Sequence, residues 1–223
     1  MNIFDRILLF AAAALALKFI YAHWSQLRQN QDGEDYNIYH LVAFATLGAS
    51  TLLLGVFGWG ILGFMGDGTE NKLVAVVASA IPFAWATGVV KQLRPKFEKP
   101  FLVLMIIGFL LITFTRFAEM KTLGRIIYPV FHSTAGLTVI LLPIVSIIKK
   151  QKPLSFLMLS LGGFLISSGG ISMAFLIAGR QLLFVSTEVL FMIFAPLLFF
   201  TVLLYELGLA GGFRQAFTQQ EKD

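Results

Sequence analysis

Seven stretches of this chain are apolar for long enough to cross a bilayer, and that feature limits every other reading. They run over residues 7–24, 38–65, 73–90, 101–118, 126–148, 154–178 and 182–207. A helix needs ~20 apolar residues to span ~30 Å of hydrocarbon at ~1.5 Å per residue. The runs are continuously apolar and do not alternate with period two, so helices are expected and barrel strands are not. Together they fill the chain, which reads as one all-α membrane domain over residues 1–223, a bundle of seven transmembrane helices. Composition points the same way: 57% of residues are hydrophobic and 13% charged, and the mean hydropathy is +0.82, far from the soluble norm.

The chain has no cysteine, which removes disulfides, thiolate metal ligands and thiol nucleophiles together. Its net charge of +5 fits basic loops beside anionic lipid, so the lipid bilayer is the expected partner and nucleic acid is not. Arg6 followed by an apolar run and Ala14-Leu15-Ala16 resembles a secretory leader. The run continues through Lys18 to Tyr21 and Trp24, an interfacial anchor pair, so a retained helix is expected.

Basic residues set the expected orientation. The first, third and fifth loops and the C-terminal tail carry ten: Arg28, Lys91, Arg94, Lys96, Lys99, Lys149, Lys150, Lys152, Arg214 and Lys222. The opposite side carries five: Arg6, Lys72, Lys121, Arg125 and Arg180. The positive-inside rule then places the N-terminus outside and the C-terminus in the cytoplasm of a bacterial inner membrane or a plasma membrane.

Pro82, Pro143 and Pro196 fall inside predicted spans, where each frees a carbonyl and is expected to kink its helix. Gly55, Gly58, Gly60 and Gly63 in the second run, and Gly162-Gly163 and Gly169-Gly170 in the sixth, predict close helix approach, with a flexible gate as the other use of such glycines. A weak internal repeat is also visible. Leu17-Lys18-Phe19 corresponds to Thr115-Arg116-Phe117, and Ile38-Tyr39-His40 to Val130-Phe131-His132, at offsets of 98 and 92 residues. Halves at 1–92 and 99–181, followed by an extra helix at 182–209, would be related by inversion, because three crossings reverse the second copy. That three-plus-three-plus-one arrangement resembles trimeric intracellular cation channels in architecture alone; their glycine-rich motifs are not matched here.

The inverted reading groups the polar intramembrane residues in two clusters. One, toward the outer leaflet, holds Arg116, Glu119, His132 and Glu188; the other, toward the cytoplasm, holds Lys18, His40 and Glu206. Arg116 is expected two residues from the end of helix four, and His132 and Glu188 about six residues, or roughly 9 Å, inside helices five and seven. Charges in hydrocarbon are costly, so such groups are expected to face the interior, a partner or water, and a histidine there can exchange protons near neutral pH.

Other chemistries find little footing. A haem with two axial histidines would draw on His23, His40 and His132 alone, and His40 and His132 are assigned to opposite leaflets, beyond the reach of one iron. The seven-span outline resembles the rhodopsins, yet residues 182–207 contain no lysine for a retinal Schiff base. His132, Ser133 and Glu188 do not form a hydrolase triad, since adjacent helical residues point about 100° apart and no G-x-S-x-G or H-E-x-x-H motif occurs. No catalytic residue, cofactor or metal site is therefore expected. The expected function is a transporter or channel for a small ion or solute, as a monomer or homo-oligomer. The alternative is a non-catalytic or receptor-like subunit of a larger membrane complex.

Overall fold

The computed structural model describes residues 1–29, 37–63, 72–177 and 186–220. Every regular element among them is helical: α1 (Ile3–Gln29), α2 (Asn37–Phe57), α3 (Lys72–Leu93), α4 (Glu98–Phe117), α5 (Lys121–Ile148), α6 (Leu157–Ile177) and α7 (Thr187–Gln220). Short 3₁₀ turns extend α2 over Gly58–Gly63 and lead into α4 and α6 over Pro95–Phe97 and Leu154–Phe156. Six helices, α2 to α7, are long and apolar enough to cross a membrane. The seventh, α1, is the least apolar of the set, because Asp5, Arg6, Lys18 and His23 interrupt its run. Seven expected spans thus become six by this measure.

The outer surface is apolar enough to suit lipid. Phe4, Ile7, Leu110, Phe114, Ile126 and Val130 each expose more than half of their area, a surface that would drive aggregation in water and is solvated by acyl chains. Inside, α1, α2, α3, α5, α6 and α7 close into a ring of successive neighbours, and α4 lies outside against α3 and α5. The apolar window of α3 is 61% buried and that of α4 only 22%, so α3 is a core helix and α4 a lipid-facing one. The pairs α1–α2 and α2–α3 recur as α4–α5 and α5–α6, and α3 also packs on α5.

Small residues set the closest seams, as expected where apolar burial supplies no drive between helices. A Cβ on Gly48 would stand 2.9 Å from the Cβ of Ala16, and one on Gly55 2.9 Å from the Phe10 ring. In α6 the two glycine doublets lie seven residues apart, two turns on the same face. Gly162 and Gly169 meet Tyr205 and Leu197 of α7, while Gly163 and Gly170 meet Val139 and His132 of α5. Gly58 is the left-handed residue, at φ 71°, that ends α2, and Gly60 has nothing within 4 Å. The surroundings of Gly63 lie outside the described residues. The helices run unbroken through Pro82, Pro143 and Pro196, and α5 also continues through Pro129.

Two helix boundaries differ from the sequence reading, and both move a polar residue. Glu119 adopts a left-handed backbone at φ 56°; Met120 N–H then bonds the Thr115 carbonyl and Glu119 N–H that of Arg116. This Schellman turn reverses the chain within three residues, so α5 begins at Lys121 and not near residue 126. At the other boundary, residues 182–185 lie outside the described ones and α7 begins at Thr187. Ser186 caps it, its hydroxyl accepting from Val189 N–H at 3.3 Å.

Candidate functional site: two buried histidines

Two histidines sit inside the bundle, each pressed onto a glycine of the next helix. His40, in the first turn of α2, is 1% exposed. A Cβ on Gly88 of α3 would lie 2.6 Å from its Cε1 and 2.8 Å from its Nδ1. His132 of α5 is 3% exposed, and a Cβ on Gly170 of α6 would collide with its Nε2 and lie 2.7 Å from its Cε1. Only glycine leaves room for either ring. Neither ring nitrogen of either histidine has a hydrogen-bond partner.

From His40 the contacts lead through His23 to a charged pair. Lys18 of α1 and Glu206 of α7 form an ion pair at 2.5 Å, with the lysine 70% exposed and the carboxylate 13%. His23 lies within electrostatic reach of both Glu206 and His40, and its Nδ1 donates to the Phe19 carbonyl at 2.9 Å. Gln92 directs its buried Oε1 toward the His40 ring without the geometry of a formed hydrogen bond. An aromatic stack carries this corner into the core: His23 on Phe19 at 3.6 Å, Phe19 on Phe44 at 3.8 Å, Phe44 edge-on to Trp85 at 5.6 Å, and Trp85 on Tyr205 at 3.7 Å. Each such pair contributes about 0.5–1.5 kcal/mol beyond its burial, which fixes α1, α2, α3 and α7 around the histidine.

His132 has a different setting. Tyr128, one turn earlier on α5, stacks on it at 5.2 Å and 17°. The Arg116 guanidinium lies 5.7 Å from the centre of the same Tyr128 ring, and its buried Nε has no hydrogen-bond partner. Arg116, Tyr128 and His132 thus form one ladder across α4 and α5. The two carboxylates expected here stand elsewhere. Glu119, turned outward by its left-handed backbone, pairs with Lys72 at 2.6 Å. That ammonium holds the Glu119 carboxyl below its ordinary range, chiefly through the hydrogen bond. Glu188 is exposed in the first turn of α7 and accepts from the Ser186 hydroxyl at 2.7 Å. Among the described residues no ion pair joins Arg116 to either carboxylate. Its partner is the face of an aromatic ring.

Depth also changes. His132 lies eleven residues from the start of α5, roughly 16 Å along the helix, whereas His40 is three residues into α2. Tyr128, His23 and Gly88 belong to these sites and were absent from the clusters expected from sequence. The spacing carried a usable signal for two of them: Phe19 precedes His23, and Tyr128 precedes His132, by four residues, the separation that stacks side chains on one helix face. No group of three or more His, Asp or Glu side chains suited to a metal occurs among the described residues.

Comparison of the chain with protein-family models, with curated proteins and with solved structures finds no match.

Proposed function

We propose that this bundle carries an ion across the membrane, and that the ion is the proton. The observation that supports the reading is the pair of buried imidazoles whose ring nitrogens have no hydrogen-bond partner. A buried polar group left unsatisfied costs about 1–3 kcal/mol, a cost that leucine in the same space would avoid. Imidazole is also the side chain whose ordinary titration lies near neutral pH. Both rings touch glycine backbone, so a hydrated cation has no room there unless the helices part. A proton passes by bonding to the nitrogens themselves. The buried hydroxyls of Ser167, Thr201 and Tyr205, also without partners, supply further relay groups, with water completing the path. Lys18, His23 and Glu206 form the entrance at the His40 end.

The basic residues orient this path with the N-terminus outside, in a bacterial inner or plasma membrane. A Lys96→Cys variant is then labelled by impermeant reagents from the cytoplasmic side alone. The function is tested in vesicles loaded with a pH-sensitive dye, with a potassium diffusion potential as the driving force. Vesicles with the protein acidify or alkalinise faster than empty ones, and the His40→Leu/His132→Leu double variant returns the rate to that of empty vesicles. Equal rates for the protein and empty vesicles reject the proposal.

A second reading, a subunit packed against unlike membrane partners, draws on the lipid-facing α4 with its 22% buried window. Consistent co-purification with other subunits favours it; a monomer or symmetric homo-oligomer favours transport.

A further inference from the structure

At the end of the bundle where α3 meets α4, a groove of about 360 Å³ opens on the lipid-facing flank between α3, α4 and α5. Val90, Phe101, Leu104, Thr138 and Leu142 line its length, and Arg94 stands at its mouth. Thr138 lies ten residues from the end of α5, so the groove runs roughly 15 Å down the helices, about the depth of one leaflet's hydrocarbon. The mouth is strongly basic. Arg94 Nη1 donates to Gln151 Oε1 at 3.2 Å, which draws the α3–α4 and α5–α6 connections together. Lys96, Lys99, Lys149 and Lys150, all exposed, belong to the stretches that this contact joins, residues 94–100 and 149–153, in which Glu98 is the one acid. Glu98 is already engaged by Lys91 at 3.2 Å and by the Tyr39 hydroxyl.

We infer that this groove holds an anionic phospholipid, with one acyl chain along α3, α4 and α5 and the phosphate at Arg94 and the neighbouring lysines. An apolar slot as deep as a leaflet, topped by unbalanced cations at headgroup level, matches such a lipid in shape and in charge. A zwitterionic lipid would fill the slot equally well and place an ammonium among the lysines. Arg94 commits one nitrogen, Nη1, to the Leu93 carbonyl and Gln151 Oε1, which leaves the three N–H groups of Nη2 and Nε for phosphate oxygens.

The test is native mass spectrometry of the detergent-solubilised protein titrated with phosphatidylglycerol or phosphatidylcholine, with melting temperature read in parallel. Phosphatidylglycerol is expected to be retained and to raise the melting temperature, and phosphatidylcholine to do neither. An Arg94→Ala/Lys149→Ala/Lys150→Ala variant should bind phosphatidylglycerol about tenfold or more weakly. Leu104→Trp, which fills the slot without altering charge, should also weaken it, with circular dichroism confirming that both variants remain folded. Equal retention of the two lipids would overturn the inference. So would full phosphatidylglycerol binding by Leu104→Trp, because the cations alone would then account for it.

Discussion

The two histidine sites share one contact and differ in nearly everything else. His40 and His132 each fill a notch that a glycine leaves on the following helix, Gly88 and Gly170. His40 lies one turn from a helix end, within electrostatic reach of a second histidine, His23, which in turn reaches Glu206. His132 lies about three turns deep, and the cation nearest to it, Arg116, is reached through the Tyr128 ring. The shared contact is a packing solution, since burying a flat ring between helices requires a missing side chain. The difference is chemical: one imidazole has a second imidazole beside it near a helix end, and the other has an aromatic ring between it and the Arg116 cation.

Overpacking distinguishes the shared feature most sharply. Gly170→Ala and Gly88→Ala should each lower stability by about 1–3 kcal/mol, with Gly170 the worse because its Cβ would strike Nε2 directly. Gly60→Ala, with no neighbour within 4 Å, should leave unfolding in detergent unchanged. Comparable losses at Gly60 would mean that the notches are not special. Substituting the rings themselves should cost far less. Since neither imidazole makes a hydrogen bond, His40→Leu and His132→Leu should leave stability unchanged or raise it by up to about 1–3 kcal/mol, the cost of the unsatisfied group. A loss of several kcal/mol at either would reveal a partner that the structure lacks.

Smaller effects belong to the charged periphery. Glu206→Gln breaks a pair whose lysine is 70% exposed, so a loss of about 1 kcal/mol or less is expected, shrinking as salt is added. The Lys72–Glu119 pair is more exposed still. Its carboxyl is depressed in the folded state, so its stabilisation is present above the unfolded pKa and fades as pH falls through the lower folded value; a slight decline in melting temperature on acidification, absent in Glu119→Gln, would show it. Glu188→Gln should change neither melting temperature nor flux, because Glu188 serves the exposed first turn of α7.

Composition alone marks the helices, because a bilayer span must be continuously apolar and helical whatever its neighbours. Helix ends are not marked in this way, since local backbone decides them. A glutamate in a left-handed turn gives no signal in hydropathy, yet Glu119 sends its own side chain outward and moves the start of α5 five residues upstream. Lys18 and Glu206 do meet, at helix ends where long side chains reach one another easily. Arg116 and Glu188 do not, because similar depth says nothing about azimuth around a bundle. The notch at Gly88 was hidden for the same reason: helix neighbours follow from tertiary packing, and a lone glycine in an apolar run does not announce its partner.

If both imidazoles lie in series on one proton path, each single variant must interrupt it. Dye-loaded vesicles containing His40→Leu or His132→Leu protein are compared with wild type under the same imposed potential. If the path is single, either substitution alone brings proton flux to the level of empty vesicles while the helical circular dichroism stays unchanged. Flux at the wild-type rate in either folded variant would contradict the account.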